Sequence, residues 1–200
     1  AVLHYIDANR VKWVERSLLE ITALGTGLVV MTIVGVAAMF LWLTRHRYSA
    51  MLLLVATGGG LLLNNILKYT FQRPRPQVFE WVDSPVTSSF PSGHAMSSAI
   101  VYMTVAYLGA RLMKRRIYRV LTMLAALVLI ALIGLSRLYL GVHYPSDVVG
   151  GYVIGIAWAA FCMASLEAIQ AYGRRNAPRE MARFERPPES AVDASSAGGA

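Results

Sequence analysis

The hydrophobic positions of this 200-residue chain are gathered into long uninterrupted blocks rather than spread evenly along it. The first block, residues 21–43, runs for 23 positions without Asp, Glu, Lys or Arg. Because about 20 apolar residues in a helix cover a hydrocarbon core of about 30 Å, a block of this length can cross a membrane. The pattern predicts five such spans, at about 21–43, 48–67, 93–110, 117–136 and 148–166.

Composition agrees with a membrane protein. The chain is 56% hydrophobic and only 15% charged, whereas an ordinary soluble domain is about 25% charged. The alternative, five buried helices of one soluble protein, is disfavoured because too little polar surface remains to enclose them. The predicted fold is therefore all-α, a polytopic transmembrane helical bundle with five spans.

The two ends of the chain differ from the blocks between them. Residues 1–16 mix apolar and charged positions, which favours an amphipathic helix lying at the membrane interface, and they lack the apolar stretch of a signal peptide. Residues 173–200 are rich in Pro, Arg, Ser and Gly, which predicts a disordered tail. The membrane-embedded domain is thus expected to be residues 1–172.

The basic residues indicate how the chain is oriented. A net charge of +8 could suggest nucleic acid, but these residues flank the spans, so we expect anionic lipid headgroups and no nucleic-acid partner. With five spans, 12 of the Lys and Arg residues fall on one face and 7 on the other, which assigns the richer face to the cytoplasm. The protein is predicted to lie in the cell membrane, with loops 68–92 and 137–147 outside and the C-terminal tail in the cytoplasm.

The first outward loop holds two polar segments. KYTFQRPRP begins at Lys68, and its prolines forbid a continuing helix, so Lys68 can stay at a helix end while Arg75 folds back over it. SSFPSGHAMSS opens the third span, where Ser92 is a natural N-cap and Gly93 lets the backbone approach a ligand closely. The free N–H groups at that helix start predict an anion site.

The second outward loop, SRLYLGVHYPSD, adds a cation, an imidazole and a carboxylate. Pro145 is well placed as the first helical residue of the last span, which puts Asp147 in its first turn and His143 just before it. Three cations beside a helix N-terminus favour phosphate as the ligand. Two imidazoles can divide phosphoryl transfer: one attacks phosphorus while a carboxylate holds its tautomer, and the other protonates the leaving oxygen.

Three motifs in these loops resemble those of the type 2 phosphatidic acid phosphatase superfamily, which includes membrane lipid phosphatases and soluble vanadium haloperoxidases. They are K-x6-RP at Lys68, Arg75 and Pro76, PSGH at 91–94, and SR-x5-H-x3-D from Ser136 to Asp147. All three are complete and in order. Members of this family typically have six spans, so the resemblance also implies that a first span precedes the five counted here.

The resemblance implies a role for each matching residue. His143 is the expected nucleophile, forming a phosphohistidine with Asp147 orienting it, and His94 is the expected general acid. The implied phosphate cradle comprises Lys68, Arg75, Ser92, Gly93 and Arg137. No cofactor is expected.

The same residues also allow other interpretations. Two His and one Asp could hold zinc, but three cations aimed at the same pocket would oppose a divalent ion, so no metal is predicted. Arg73, outside the motifs, is expected to be an interfacial anchor.

A non-catalytic lipid-phosphate binding or transport protein would need the cations but not a His–Asp pair, and the apolar blocks disfavour a soluble haloperoxidase. An outward-facing site favours undecaprenyl pyrophosphate as substrate, with phosphatidylglycerophosphate, phosphatidate and diacylglycerol pyrophosphate as alternatives.

Overall fold

The computed structural model describes residues 3, 6, 11–76 and 87–184, with side chains as far as Gly173. Within these residues the secondary structure is α-helical and contains no strand, which confirms the all-α prediction. The helices are α1 (Lys12–Ala23), α2 (Gly27–Leu43), α3 (Arg47–Phe71), α4 (Gly93–Leu112), α5 (Arg116–Tyr139) and α6 (Pro145–Phe184).

Four of the five predicted spans correspond to single helices that are long and apolar enough to cross a membrane, namely α3, α4, α5 and the part of α6 up to Gly173. The span predicted at 21–43 differs, because α1 and α2 divide it and meet at a bend of 44°. α2 by itself has 17 residues, which rise only about 25 Å. The two helices together pass the same test of length and composition, so the described helices provide four spans or five.

The bend between α1 and α2 has local and tertiary causes. Two glycines, at 25 and 27, flank Thr26 and lower the helix propensity there. The Thr26 hydroxyl donates to the Ala23 carbonyl at 2.6 Å, and Tyr102 of α4 donates to the Leu24 carbonyl at 2.8 Å. These contacts satisfy carbonyls that a continuous helix would have used.

α1 packs along the end of α5, and its residues 12–16 overlap the segment 1–16 that is expected to be an amphipathic interfacial helix. Leu18 and Thr22 are buried, whereas Trp13 is 72% exposed. At its start, the Val11 amide donates to the Tyr139 hydroxyl at 2.9 Å. The helix begins at Lys12, and the preceding residues of the predicted 1–16 segment, apart from residues 3 and 6, lie outside the described residues.

Glycines bring α6 into backbone contact with α4. A Cβ on Gly151 would lie 2.9 Å from the Ser92 carbonyl oxygen, and one on Gly155 would lie 2.8 Å from that of Met96. Small residues are the usual means by which membrane helices approach this closely. The contact places the start of α6 beside the start of α4, where the motifs lie.

The chain divides into two compact units, residues 1–163 and 164–200. The first contains α1 to α5 and the start of α6, and the second contains the continuation of α6 as far as Phe184. Residues 173–184 are helical, whereas the sequence predicts that they belong to a disordered tail. Residues 185–200 lie outside the described residues, and disorder there stays a prediction.

Candidate active site

The three motifs occupy the ends of four helices that meet at one end of the first unit. α3 ends at Phe71, where Gln72 adopts a left-handed conformation with φ of 42° and the prolines follow. α4 and α6 both begin at this end, and the Ser92 amide donates to the Asp147 carbonyl oxygen at 3.0 Å. α6 starts at Pro145, as the sequence predicts.

His143 and Asp147 form a buried pair at the start of α6. Their exposed fractions are 2% and 0%, and His143 Nδ1 lies 3.6 Å from Asp147 Oδ2. The same carboxylate oxygen accepts the Tyr144 amide at 2.9 Å and a short hydrogen bond from the Ser89 hydroxyl. The carboxylate therefore lies where it can hold the imidazole with Nδ1 protonated and Nε2 free to attack.

The surroundings of His143 favour its neutral form. Burial lowers the pKa of the imidazole below its ordinary 6.5, while the hydrogen bond to Asp147 opposes the shift and the charges of Arg75 and Arg137 add to it. A neutral imidazole retains the lone pair that a nucleophile needs. The site thus supplies this form at neutral pH.

Lys68 and Arg75 tie the end of α3 to the segments around the pair. Lys68 Nζ donates to the Ser88 carbonyl at 2.6 Å. Arg75 donates from Nε to the Thr87 carbonyl at 3.0 Å and from Nη1 to the Val142 carbonyl at 3.2 Å. Both cations are half-buried and close enough to interact electrostatically, as expected from an Arg75 folded back over Lys68.

Two donors in the site are buried without a hydrogen-bond acceptor among the described residues, Ser92 Oγ and Arg137 Nε. Ser92 occupies the N-cap position of α4, as the sequence predicts, but its hydroxyl makes no capping hydrogen bond. Arg137 Nη1 donates to Thr22 of α1 at 2.9 Å, which leaves Nε for another partner. Buried donors of this kind are expected to have a partner, and a bound oxyanion would provide one.

His94 lies on the first turn of α4, close enough to Arg137, His143, Arg75 and Lys68 to interact with all four electrostatically. Beside it is Gly93, where a Cβ would lie 4.0 Å from Lys68 Cε. His94 also lines a cavity of about 220 Å³ between α2, α3 and α4. Its remaining lining is largely apolar and includes Val30, Leu61, Met96, Ile100 and Val101.

Arg73 is the residue that sequence reasoning placed wrongly. Its Nη1 donates to Asp147 Oδ1 at 2.7 Å, so it is a partner of the site and not an interfacial anchor. Ser89, which donates to the other carboxylate oxygen, lies outside the three motifs. The only signals in the sequence were their positions, two residues before Arg75 and two before Pro91.

Metal ligands do not converge in this site. Among the residues that the structure describes, no three His, Cys, Asp or Glu side chains form a group that could hold a metal ion. Metal independence itself stays a prediction.

Comparison with known proteins identifies the family. The sequence model of the PAP2 superfamily matches residues 49–170, which contain all three motifs. The chain belongs to the PAP2 superfamily. Phosphatidylglycerophosphatase B of Bacillus subtilis (strain 168) is 33% identical to this PAP2 protein over 148 residues, which are 74% of this chain and 72% of that protein.

Two further PAP2 comparisons extend this result. The undecaprenyl-diphosphatase of Sulfolobus acidocaldarius is 26% identical over 142 residues, 68% of this chain and 63% of that protein. The crystal structure of a transmembrane PAP2-type phosphatidylglycerolphosphate phosphatase from Bacillus subtilis superimposes with a TM-score of 0.79 at 30% identity and covers 84% of each chain. This PAP2 protein is therefore a membrane enzyme that hydrolyses lipid phosphates.

Proposed function

We propose that this chain is a metal-independent lipid phosphate or pyrophosphate phosphatase that works through a phosphohistidine on His143 at the extracytoplasmic face of the cell membrane. The observation that carries the proposal is the buried His143–Asp147 pair beside two buried donors, Ser92 Oγ and Arg137 Nε, without acceptors among the described residues. Donors for an oxyanion next to an activated nucleophile are the parts that phosphoryl transfer needs.

The first step transfers the phosphoryl group to the enzyme. His143 Nε2 attacks phosphorus, the bond from phosphorus to the leaving oxygen breaks, and His94 donates a proton to that oxygen. In the second step His94 accepts a proton from water, the water oxygen attacks phosphorus, and the bond to Nε2 breaks to release phosphate. Asp147 holds Nδ1 throughout and stabilises the positive charge that develops on the ring.

Positive charge takes the place that a metal ion has in many phosphoryl-transfer enzymes. Lys68, Arg75 and Arg137 meet the equatorial oxygens, while Ser92 and the amides at the start of α4 add donors. Lys68 and Arg75 presently donate to backbone carbonyls, which are weaker acceptors than a phosphate dianion. They are therefore expected to turn to the substrate when it binds.

The cavity beside His94 supports a lipid as the leaving group. Because His94 protonates the leaving oxygen, the remainder of the lipid has to lie on the same side of the phosphate as His94. The largely apolar lining between α2, α3 and α4 suits hydrocarbon, and Asn64 contributes a polar group near Gly93. Undecaprenyl pyrophosphate is our first candidate, because the excess of Lys and Arg on the opposite face favours an extracytoplasmic site.

Phosphatidylglycerophosphate is the second candidate. A phosphatidylglycerophosphatase B is 33% identical to this chain, whereas the undecaprenyl-diphosphatase cited above is 26% identical. Both lipids present a terminal phosphate to the same groups, so the difference between them lies in the leaving group.

A phosphate-release panel with detergent-solubilised protein tests the proposal. Undecaprenyl pyrophosphate, phosphatidylglycerophosphate, phosphatidate and diacylglycerol pyrophosphate are each compared between the native protein and His143→Ala. We expect release from at least one lipid by the native protein and none above background by the variant. Native turnover by His143→Ala would overturn the mechanism, and headgroup binding without release by the native protein would favour a carrier or scaffold.

A further inference from the structure

Arg73 reaches from the segment after α3 to three residues at the start of α6. Its Nη1 donates to Asp147 Oδ1 and to Ser146 Oγ, both at 2.7 Å. Its guanidinium group lies over the Tyr144 ring, 4.4 Å from the centroid. Its side chain is 38% exposed, and the carboxylate that it contacts is fully buried. These contacts fix the guanidinium group in one place.

The main chain of Arg73 is fixed as well. Its amide donates to Ser88 Oγ at 3.0 Å, and its carbonyl accepts the Ser89 amide at 2.8 Å. Ser89 in turn donates through its hydroxyl to Asp147 Oδ2. The segment that carries Arg73 and the segment that carries Ser89 therefore hold the carboxylate from two directions.

The two oxygens of Asp147 have different partners. Oδ1 accepts Arg73, whereas Oδ2 accepts Ser89 and the Tyr144 amide and lies 3.6 Å from His143 Nδ1. A carboxylate fixed at both oxygens cannot rotate about its terminal bond. Orientation of Oδ2 toward the imidazole thus depends on the contact at Oδ1.

We propose that Arg73 is a positioning residue, which fixes and neutralises Asp147 so that Oδ2 holds the His143 imidazole in its reactive tautomer. The inference rests on the proposed function of His143 as the nucleophile. Arg73 acts through Asp147, since its Nη1 donates to a carboxylate, whereas Lys68 and Arg75 donate to uncharged carbonyls. It is therefore distinct from the cations proposed to receive the phosphate.

The charges around His143 determine the sign of the effect on pH dependence. Asp147 on α6 favours the imidazolium, while Arg75 after α3 and Arg137 on α5 oppose it, and His94 on α4 also lies close to it. Removing Arg73 leaves the Asp147 charge uncompensated. This change favours the imidazolium, so the acid limb of activity should move to higher pH.

Three variants test the inference: Arg73→Met, Arg73→Lys and a matched control, Arg47→Met. Arg47 also stacks on an aromatic ring, 5.4 Å from the centroid of Trp42, but lies at the opposite end of α3. The measurements are kcat, KM and vanadate inhibition for phosphate release from phosphatidate micelles across the acidic and neutral range. Thermal unfolding is followed for each variant.

Arg73→Met should lower kcat by roughly 100-fold, the lower end of what a positioned proton-transfer group contributes, with KM and vanadate inhibition near native. Its acid limb should move up by about one pH unit. Arg73→Lys should recover part of the lost kcat and should reverse part of the shift in the acid limb, since an ammonium keeps the charge but not the planar geometry of a guanidinium group. Arg47→Met should resemble the native protein. If Arg73→Met does not fold, the partial kcat loss and limb shift of Arg73→Lys decide.

Several results would overturn the inference. A raised KM and weaker vanadate inhibition with an unmoved acid limb would make Arg73 a phosphate ligand. Native kinetics in both Arg73 variants would show that Arg73 does not position Asp147. His143→Ala separates this outcome from failure of the mechanism: an inactive His143→Ala with unaffected Arg73 variants sinks only the inference, whereas an active His143→Ala sinks the proposed function itself.

Discussion

Ser92 and Arg137 illustrate the proposed anion site at the scale of single residues. Ser92 is fully buried, yet its hydroxyl has no acceptor within the described residues, and the same holds for Arg137 Nε. Leaving a buried donor without a partner costs about 1–3 kcal/mol. Phosphate oxygens would remove that cost on binding, so part of the affinity is already built into the unliganded site.

Ser92→Ala should therefore weaken substrate binding without destabilising the protein. A hydrogen bond to a charged group contributes about 1.5–3 kcal/mol, so KM should rise about 10- to 100-fold. The thermal midpoint should rise slightly, because the variant no longer buries a hydroxyl that has no acceptor within the described residues. The measurement is phosphate-release kinetics alongside thermal unfolding.

Ser98→Ala is the matched control on the same helix, since the Ser98 hydroxyl is buried but donates to the Ala95 carbonyl at 3.1 Å. KM should stay native in this variant. An unchanged KM in Ser92→Ala as well would remove Ser92 from the phosphate site.

Sequence spacing predicted residues that the fold then brought together, but it missed their supports. Lys68, Arg75 and His143 stand in recognisable motifs, so the resemblance could assign them expected roles. Arg73 looked like one more basic residue near an interface. Its partner Asp147 lies 74 positions away, and nothing in the local pattern indicates that contact. Hydrogen bonds between distant segments depend on the folded arrangement of helix ends.

The bend between α1 and α2 is the main feature at the scale of secondary structure. Hydropathy predicts a single span at 21–43, since no charged residue interrupts the block around Thr26. Length and apolarity are sufficient to predict the membrane spans within α3 to α6. They could not predict the bend, because it depends on Tyr102 and on the close packing of Gly25 against α4 and α5.

Gly25→Val should disturb catalysis through His94. A Cβ at position 25 would lie 2.7 Å from Ile133 Cγ2 and 3.0 Å from His94 Cδ2, so the ring has to move. Displacing a reacting group by about 1 Å can cost about 100-fold in rate, and overpacking costs about 1–3 kcal/mol of stability. We expect kcat to fall by a similar factor and the thermal midpoint to drop.

Gly35→Val on α2 is the control for added bulk, because a Cβ there meets nothing within 4 Å. Its kcat should remain native. Equal kinetics in the two variants would show that the bend does not position His94.

The whole molecule combines a bundle of membrane helices with a cluster of cations at one end. Three cations and two helix starts surround the His143–Asp147 pair, and no group of metal-ligating side chains is found in the part of the chain that the structure describes. Under the proposed function, these cations stabilise the transition state that a metal ion stabilises in many phosphoryl-transfer enzymes.

EDTA should accordingly leave the rate of phosphate release nearly unchanged, while vanadate should inhibit by adopting the geometry of pentavalent phosphorus. Both are measured on the same detergent-solubilised preparation. A loss of activity with EDTA that added divalent metal restores would show that a metal takes part.

The central claim is that phosphate passes through His143 before it reaches water. The most direct measurement is the stereochemical course at phosphorus, with a lipid whose phosphate is made chiral by oxygen isotopes and with isotopically labelled water. Two successive in-line displacements, first by His143 and then by water, predict overall retention of configuration. Inversion would show a single direct attack by water and would contradict the phosphohistidine mechanism.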